Sequence, residues 1–137
     1  MQPEDMKLVL VIDPSLPVGV IANTSALLSI SIGKYLQKNL GPDISDATGL
    51  VHHGIFDRAI TVLAAAPRDI AKLHSAGTVT ELVLVGLTTH AQKAHTYDEN
   101  SRTLGVTATE KLEYLGIAIC GRRKSVTRFT GSLPLLR

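Results

Sequence analysis

The chain has no tryptophan, two phenylalanines and three tyrosines. Its core must therefore be built from Val, Ile, Leu and Ala, which suits a sheet covered by helices, and the scarcity of rings argues against base-stacking platforms. The single cysteine, Cys120, has no partner for an intramolecular disulfide and lies in an apolar run, so it is expected as a buried, reduced core thiol of a cytosolic protein. Charge of one sign is also missing: 14 basic and 12 acidic side chains leave a net +2. That balance lacks the footprint of a general nucleic-acid binder, so any anion binding has to be local. No stretch reaches membrane-spanning length; the most apolar window, Val18 to Ile32, is interrupted by Asn23, Thr24, Ser25, Ser29 and Ser31. The first residues carry Glu4 and Asp5 rather than a basic leader, and the run from Leu8 to Ile12 is too short for a signal-peptide core. A cytoplasmic protein without a membrane partner is expected, with residues 1–6 as an extended or disordered tail.

What is present is a chain of 137 residues, 45% of them hydrophobic, enough for one core without staples. Apolar β-branched runs alternate with segments of helical period, which predicts a single α/β domain over residues 7–137. Four strands are expected, Lys7 to Ile12, Ala59 to Ala65, Glu81 to Leu87 and Leu112 to Cys120, in a mixed or mainly parallel sheet with helices on both faces. The first and last should be central, being apolar with little alternation. A first helix is predicted from about Ile21 to Leu40, with Ile21, Leu28, Ile32, Tyr35 and Leu36 on one face and Gly41-Pro42 as its stop. A second should start at Pro67 and end by Gly77, turning Ile70 and Leu73 to the sheet. A third segment, Thr89 to Leu104, is helix-permissive with Thr88 or Thr89 as cap. A last helix runs from about Arg122 to Phe129, closed by Gly131 as a left-handed cap. Between Gly41 and Arg58 lies a loop with a short strand at Leu50 to His52.

Leu27 and Ile30 fall off the main face of the first helix. A helix apolar on more than one side is deeply buried or covered by another subunit, so a homodimer is expected.

The opening segment KLVLVIDPSLPVGVIANTSALLSISIG and the closing Thr130-Gly131-Ser132-Leu133-Pro134-Leu135-Leu136 resemble the two ends of type 2 peptidyl-tRNA hydrolases. Across nearly the whole chain, VIDPSLPVGVIAN, HTYDEN, YLGIAICGRRKSVTR and GSLPLLR are similar to an uncharacterised bacterial family, Domain of Unknown Function 2000, whose members resemble the hydrolase fold. The likeness implies that fold and no established reaction. It also marks departures: where the hydrolases carry a lysine, a glutamine and a histidine, this chain has Val20, Thr24 and Leu27. A valine can neither hold a phosphate nor stabilise developing negative charge. The hydrolases' acidic, Gly- and Thr-rich hairpin has no counterpart, so peptidyl-tRNA hydrolysis is not expected.

The remaining polar chemistry is sparse. Asp13 follows the first strand and Asn23 is expected in the first turn of the helix after it, at the strand ends where α/β domains place ligands; a turn residue and a helix cap are their structural alternatives. His52 and His53 are adjacent and would point to opposite faces of a strand, and no spaced third ligand completes a metal set. His53 with Asp57 could form an oriented general base. The turn Gly121-Arg122-Arg123-Lys124-Ser125 joins a strand to a helix start and is the best anion candidate, although it lacks the GxxxxGK[ST] pattern of nucleotide loops and no cofactor is implied. The leading expectation is a small anionic ligand held by Asp13, Asn23, His53 and Arg122 to Lys124. A hydrolase or transferase using His53 as base, and a non-catalytic interaction dimer, are the alternatives.

Overall fold

A computed structural model of the protein describes residues 5–137. Its centre is a four-stranded sheet of β1 (Met6–Ile12), β4 (Ile60–Ala64), β5 (Val83–Thr88) and β6 (Tyr114–Arg122) in the order β4-β1-β6-β5. A separate hairpin joins β2 (Ile44–Ser45) to β3 (Val51–His52). The helices are α1 (Val18–Ile32), α2 (Pro67–Gly77), α3 (Thr89–Lys93), α4 (Tyr97–Gly105) and α5 (Arg123–Thr130).

β1 and β6 occupy the centre because every residue of their paired stretch is apolar or glycine, save Lys7 and Arg122 at one rim, and both faces of each are covered. β1 pairs parallel with β4 and antiparallel with β6, which in turn pairs antiparallel with β5. The sheet is therefore mixed, with β6 alone running against the other three strands; of the two expected arrangements, the mainly parallel one does not form. Met6 is the first residue of β1 and 1% exposed, so the buried chain starts one residue inside the expected tail, most of which lies outside the described residues.

Alternation along β1 divides the core. Met6, Leu8, Leu10 and Ile12 pack under α1 with Leu28, Ile32, Leu36, Ala118 and Cys120. Val9 and Val11 face α2 and α5, meeting Leu63, Ile70, Ile117, Ile119 and Val126. Ile70 is wholly buried at the centre of the inner face of α2, and burying one such side chain is worth about 1.5–3 kcal/mol. The C-terminal segment runs along the outer side of β4: Pro134 accepts from the Ala64 N–H at 2.9 Å and the Leu136 N–H reaches the Val62 carbonyl at 3.0 Å. This covers one sheet edge that would otherwise expose unpaired backbone groups.

Several helix limits differ from expectation. α1 begins at Val18 behind Pro17 and ends at Ile32; two 3₁₀ turns, Gly33–Tyr35 and Gln37–Asn39, carry the chain on to Leu40 and leave Tyr35 exposed. The segment after β5 breaks into α3 and α4, because Thr96 caps a new helix start: its Oγ1 accepts from the Glu99 N–H at 3.1 Å while Glu99 Oε2 accepts from the His95 N–H at 3.0 Å. Thr88 caps α3 as expected, accepting from the Ala91 N–H. Gly131 closes α5 in a right-handed conformation rather than a left-handed one. Among the described residues no helix is long and apolar enough to cross a membrane.

Candidate functional site

A β-bulge builds the floor of a cleft between α2 and the start of β6. The β5–β6 register passes from Leu87↔Gly116 to Thr88↔Tyr114, leaving Leu115 as an extra residue. That one-residue insertion turns Tyr114 to the α2 face, where it joins Ile117 and Ile119 instead of the α1 face that strict alternation would give it. There its ring stacks on His74 of α2, centroids 4.8 Å apart and planes at 27°. Tyr114 Oη and His74 Nδ1 lie 3.3 Å apart, with the proton on whichever partner the imidazole tautomer dictates. Gly86 makes the room: a Cβ there would sit 2.6 Å from Tyr114 Cε1.

His74, Gly86, Thr88, Leu104, Leu112 and Tyr114 line a cleft of about 460 Å³. It shares Ser75, Thr109 and Leu112 with a larger one of about 750 Å³ that extends along α2 past Lys72 and Arg68 to Pro67. The far wall of the larger cleft carries Glu110 and Glu113. None of these four charged side chains has an ion-pair partner among the described residues. Partial burial lowers the His74 pKa from 6.5 and raises that of Tyr114 from 10.0, in both cases because desolvation disfavours the charged form. At neutral pH the two rings thus form an uncharged donor–acceptor pair beside unpaired charges. The cleft lies where β4 and β5 end and β6 begins, the edge of an α/β sheet at which ligands bind.

The residues singled out from sequence do not form one site. Asp13 follows the C-terminal end of β1, whereas Arg122 pairs with Met6 at the opposite end. Seven residues at roughly 3.3 Å each put more than 20 Å of strand between them. Asp13 is buried and engaged locally, its Oδ1 accepting from the Ser15 N–H at 2.9 Å and the Ser15 hydroxyl at 2.7 Å. Asn23 is exposed in the second turn of α1, beyond the capping positions. His53 is 95% exposed on the hairpin arm, and its carboxylate neighbour is Asp43, at 3.5 Å, while Asp57 pairs with Arg58. His52 instead meets Asp46 at 2.9 Å, so the two histidines take separate partners.

Arg122, Arg123 and Lys124 are exposed where β6 passes into α5, a helix start with no side-chain cap. Glu81 already stands there, accepting from the Ser125 hydroxyl at 3.1 Å; its own backbone N–H, that hydroxyl and the Arg122 charge hold its carboxyl below the usual range. Cys120 is buried on the α1 face, and desolvation pushes its thiol up to about 11. No group of three His, Cys, Asp or Glu side chains able to hold a metal ion occurs among the described residues. Sequence reasoning passed over His74 and Tyr114. They are 40 positions apart, and their one signal, a glycine inside a strand run at Gly86, marks close approach without naming what approaches.

Residues 6–137 match the family model described as "Protein of unknown function (DUF2000)". The chain belongs to the DUF2000 family. Among solved structures it is similar to a protein of unknown function from Agrobacterium tumefaciens, with a TM-score of 0.86 at 19% sequence identity over 96% of this chain and 97% of that one. At that identity the likeness establishes a shared fold alone. No curated protein matches the chain.

Proposed function

We propose that the protein binds a small molecule bearing a carboxylate or phosphate in the cleft between α2 and the segment entering β6. One observation carries this reading: Arg68 and Lys72, both without ion-pair partners among the described residues, stand on the wall of a cleft that continues to the stacked His74–Tyr114 pair. The anionic end belongs on the α2 wall, where Lys72 supplies a charge and the Arg68 guanidinium offers two parallel donors. Ala71 and Leu112 suit an apolar body. Glu110 and Glu113 across the cleft favour a ligand with a donor or cationic group at its other end.

The peptidyl-tRNA hydrolase type 2-like architecture is part of this proposal, supported by the strand–loop–helix opening and the closing TGSLPLL phrase. Hydrolysis of peptidyl-tRNA is not. Val20 is half-buried, Thr24 fully buried and Leu27 apolar, so the positions that resemble the hydrolases' lysine, glutamine and histidine present no polar reagent to a substrate.

Titrating inorganic phosphate, short carboxylates and free amino acids against the isotope-labelled protein tests the reading. Amide shifts should concentrate on Arg68 to Ser75 and Thr109 to Tyr114, and the R68A/K72A double variant should lose binding about tenfold or more while keeping its thermal midpoint. Shifts centred on Arg122 to Lys124 and unchanged in the double variant would move the site to the basic turn and overturn the proposal.

A further inference from the structure

We infer that the chain pairs with a second copy of itself through the outer face of α1 and the β2–β3 arm. The 15 residues of α1 include no charge. Its inner face is complete: Thr24, Leu28 and Ile32 are buried against the sheet. The opposite side presents Gly19, Ala22, Asn23, Ala26, Leu27 and Ile30 at intervals of three and four, all exposed, with Ile30 at 78%. A helix that faces water on one side normally carries charge there, as α2 does with Arg68, Asp69 and Lys72. The small residues of the α1 stripe allow a second backbone to come close, with Leu27 and Ile30 as its larger contacts.

The arm supplies the rest of the surface. Every residue from 42 to 53 is exposed, including Ile44, Leu50 and Val51, and Ile55 follows at 80%. Two strands of two residues each do not hold a hairpin by pairing alone. The turn is set locally by Asp46, whose carboxylate accepts from the Thr48 N–H and hydroxyl, the Leu50 N–H and, through its other oxygen, His52. The arm is thus shaped in advance while its apolar side chains have nothing to cover.

Charge selects the second copy as the occupant. From Val18 to Pro42 the only charged residues are Lys34 and Lys38; along the arm from Asp43 to His53 the only ones besides histidine are Asp43 and Asp46, while Asp57 beyond it is paired with Arg58. Each chain therefore carries a basic end of the α1 region and an acidic arm. A two-fold axis places the arm of each copy against the lysines of the other, with the uncharged α1 stripes between them, which is the self-complementarity an isologous dimer needs. Supply of surface is sufficient: 27 of the 40 residues from Val18 to Asp57 are exposed, against the 20–30 per side of a standard interface. The α1 face lies across the sheet from the His74–Tyr114 cleft, so this pairing stands or falls independently of the ligand reading.

Sedimentation equilibrium of the intact protein over a wide concentration range should give a dimer. Ile30→Asp and, separately, Val51→Asp should raise the dissociation constant by roughly 100-fold or more, since each buries an unpaired carboxylate, while circular dichroism stays that of the wild type. Val79→Asp, at an apolar position 87% exposed away from this surface, should leave the dimer unchanged. Raised salt should weaken the dimer by removing the Lys–Asp contribution. A wild-type monomer at the highest soluble concentration overturns the inference. So does a dimer indifferent to both I30D and V51D; using two variants on separate elements keeps the test decisive if one fails to fold.

Discussion

His74 lies over the ring of Tyr114 at 4.8 Å only because residue 86 has no side chain. Three segments meet there: α2 brings the imidazole, the bulged start of β6 brings the phenol, and β5 yields the space. In Gly86→Ala the new methyl would stand 2.6 Å from a ring carbon of Tyr114, itself 6% exposed and unable to swing away freely. The variant should lose about 1–3 kcal/mol in chemical denaturation. Full wild-type stability would mean that the stack rearranges without cost.

The stacked pair also has a titration signature. His74 should titrate below 6.5 and Tyr114 above 10.0. For His74 the unfolded chain binds the proton more readily than the folded one. Its contribution to stability is therefore complete above pH 6.5 and is lost as pH falls through the lower folded value. Imidazole proton shifts followed from pH 8 to 5, against a Tyr114→Phe control, read this directly; an ordinary midpoint in the wild type would contradict the burial of the pair.

Asp46 governs the arm. The hydrogen bond from His52, then those from Thr48 and Leu50, hold its carboxyl down to about 2 from 3.8. The stabilisation is present above the unfolded value and disappears as pH falls from about 4 through about 2. Amide signals of Thr48 and Leu50 should collapse toward random-coil positions in that window, and Asp46→Ala should show the same change at pH 7. Persistence of those signals in the variant would show that other contacts shape the turn.

Thr24 contributes an unmatched hydroxyl to the core, buried with no hydrogen-bond partner among the described residues, while its methyl group packs near Gly116. Replacing it by valine keeps the shape and removes the unpaired group, so Thr24→Val should be between neutral and about 1 kcal/mol stabilising in urea melts. A loss of more than about 1 kcal/mol would reveal a partner for the hydroxyl.

Cys120, with its thiol pushed up to about 11 and its side chain under α1, should resist a thiol reagent at pH 8 until the protein unfolds. Labelling much faster than global unfolding would show that α1 opens locally.

Local and periodic information sufficed for most of the fold. The uninterrupted apolar runs of β1 and β6 announce central strands, since such runs are stable only with both faces covered. Pro67 and Gly77 bracket α2, and Thr88 caps α3, through backbone chemistry that acts within a few residues. Orientation was not legible: nothing in the run from Tyr114 to Arg122 states that it antiparallels Met6 to Ile12, and that one choice sends the Arg122 turn to the opposite end of the sheet from Asp13. Pairing direction depends on the crossings of the whole chain, and the bulge at Leu115 is a matter of register between strands. The amino-acid order thus determined an α/β core, the starts of α2 and α3 and an uncharged α1. Only the tertiary structure decided which polar groups meet, because His74, Gly86 and Tyr114 are joined by strand register and packing across 40 residues of chain, to which no local pattern responds.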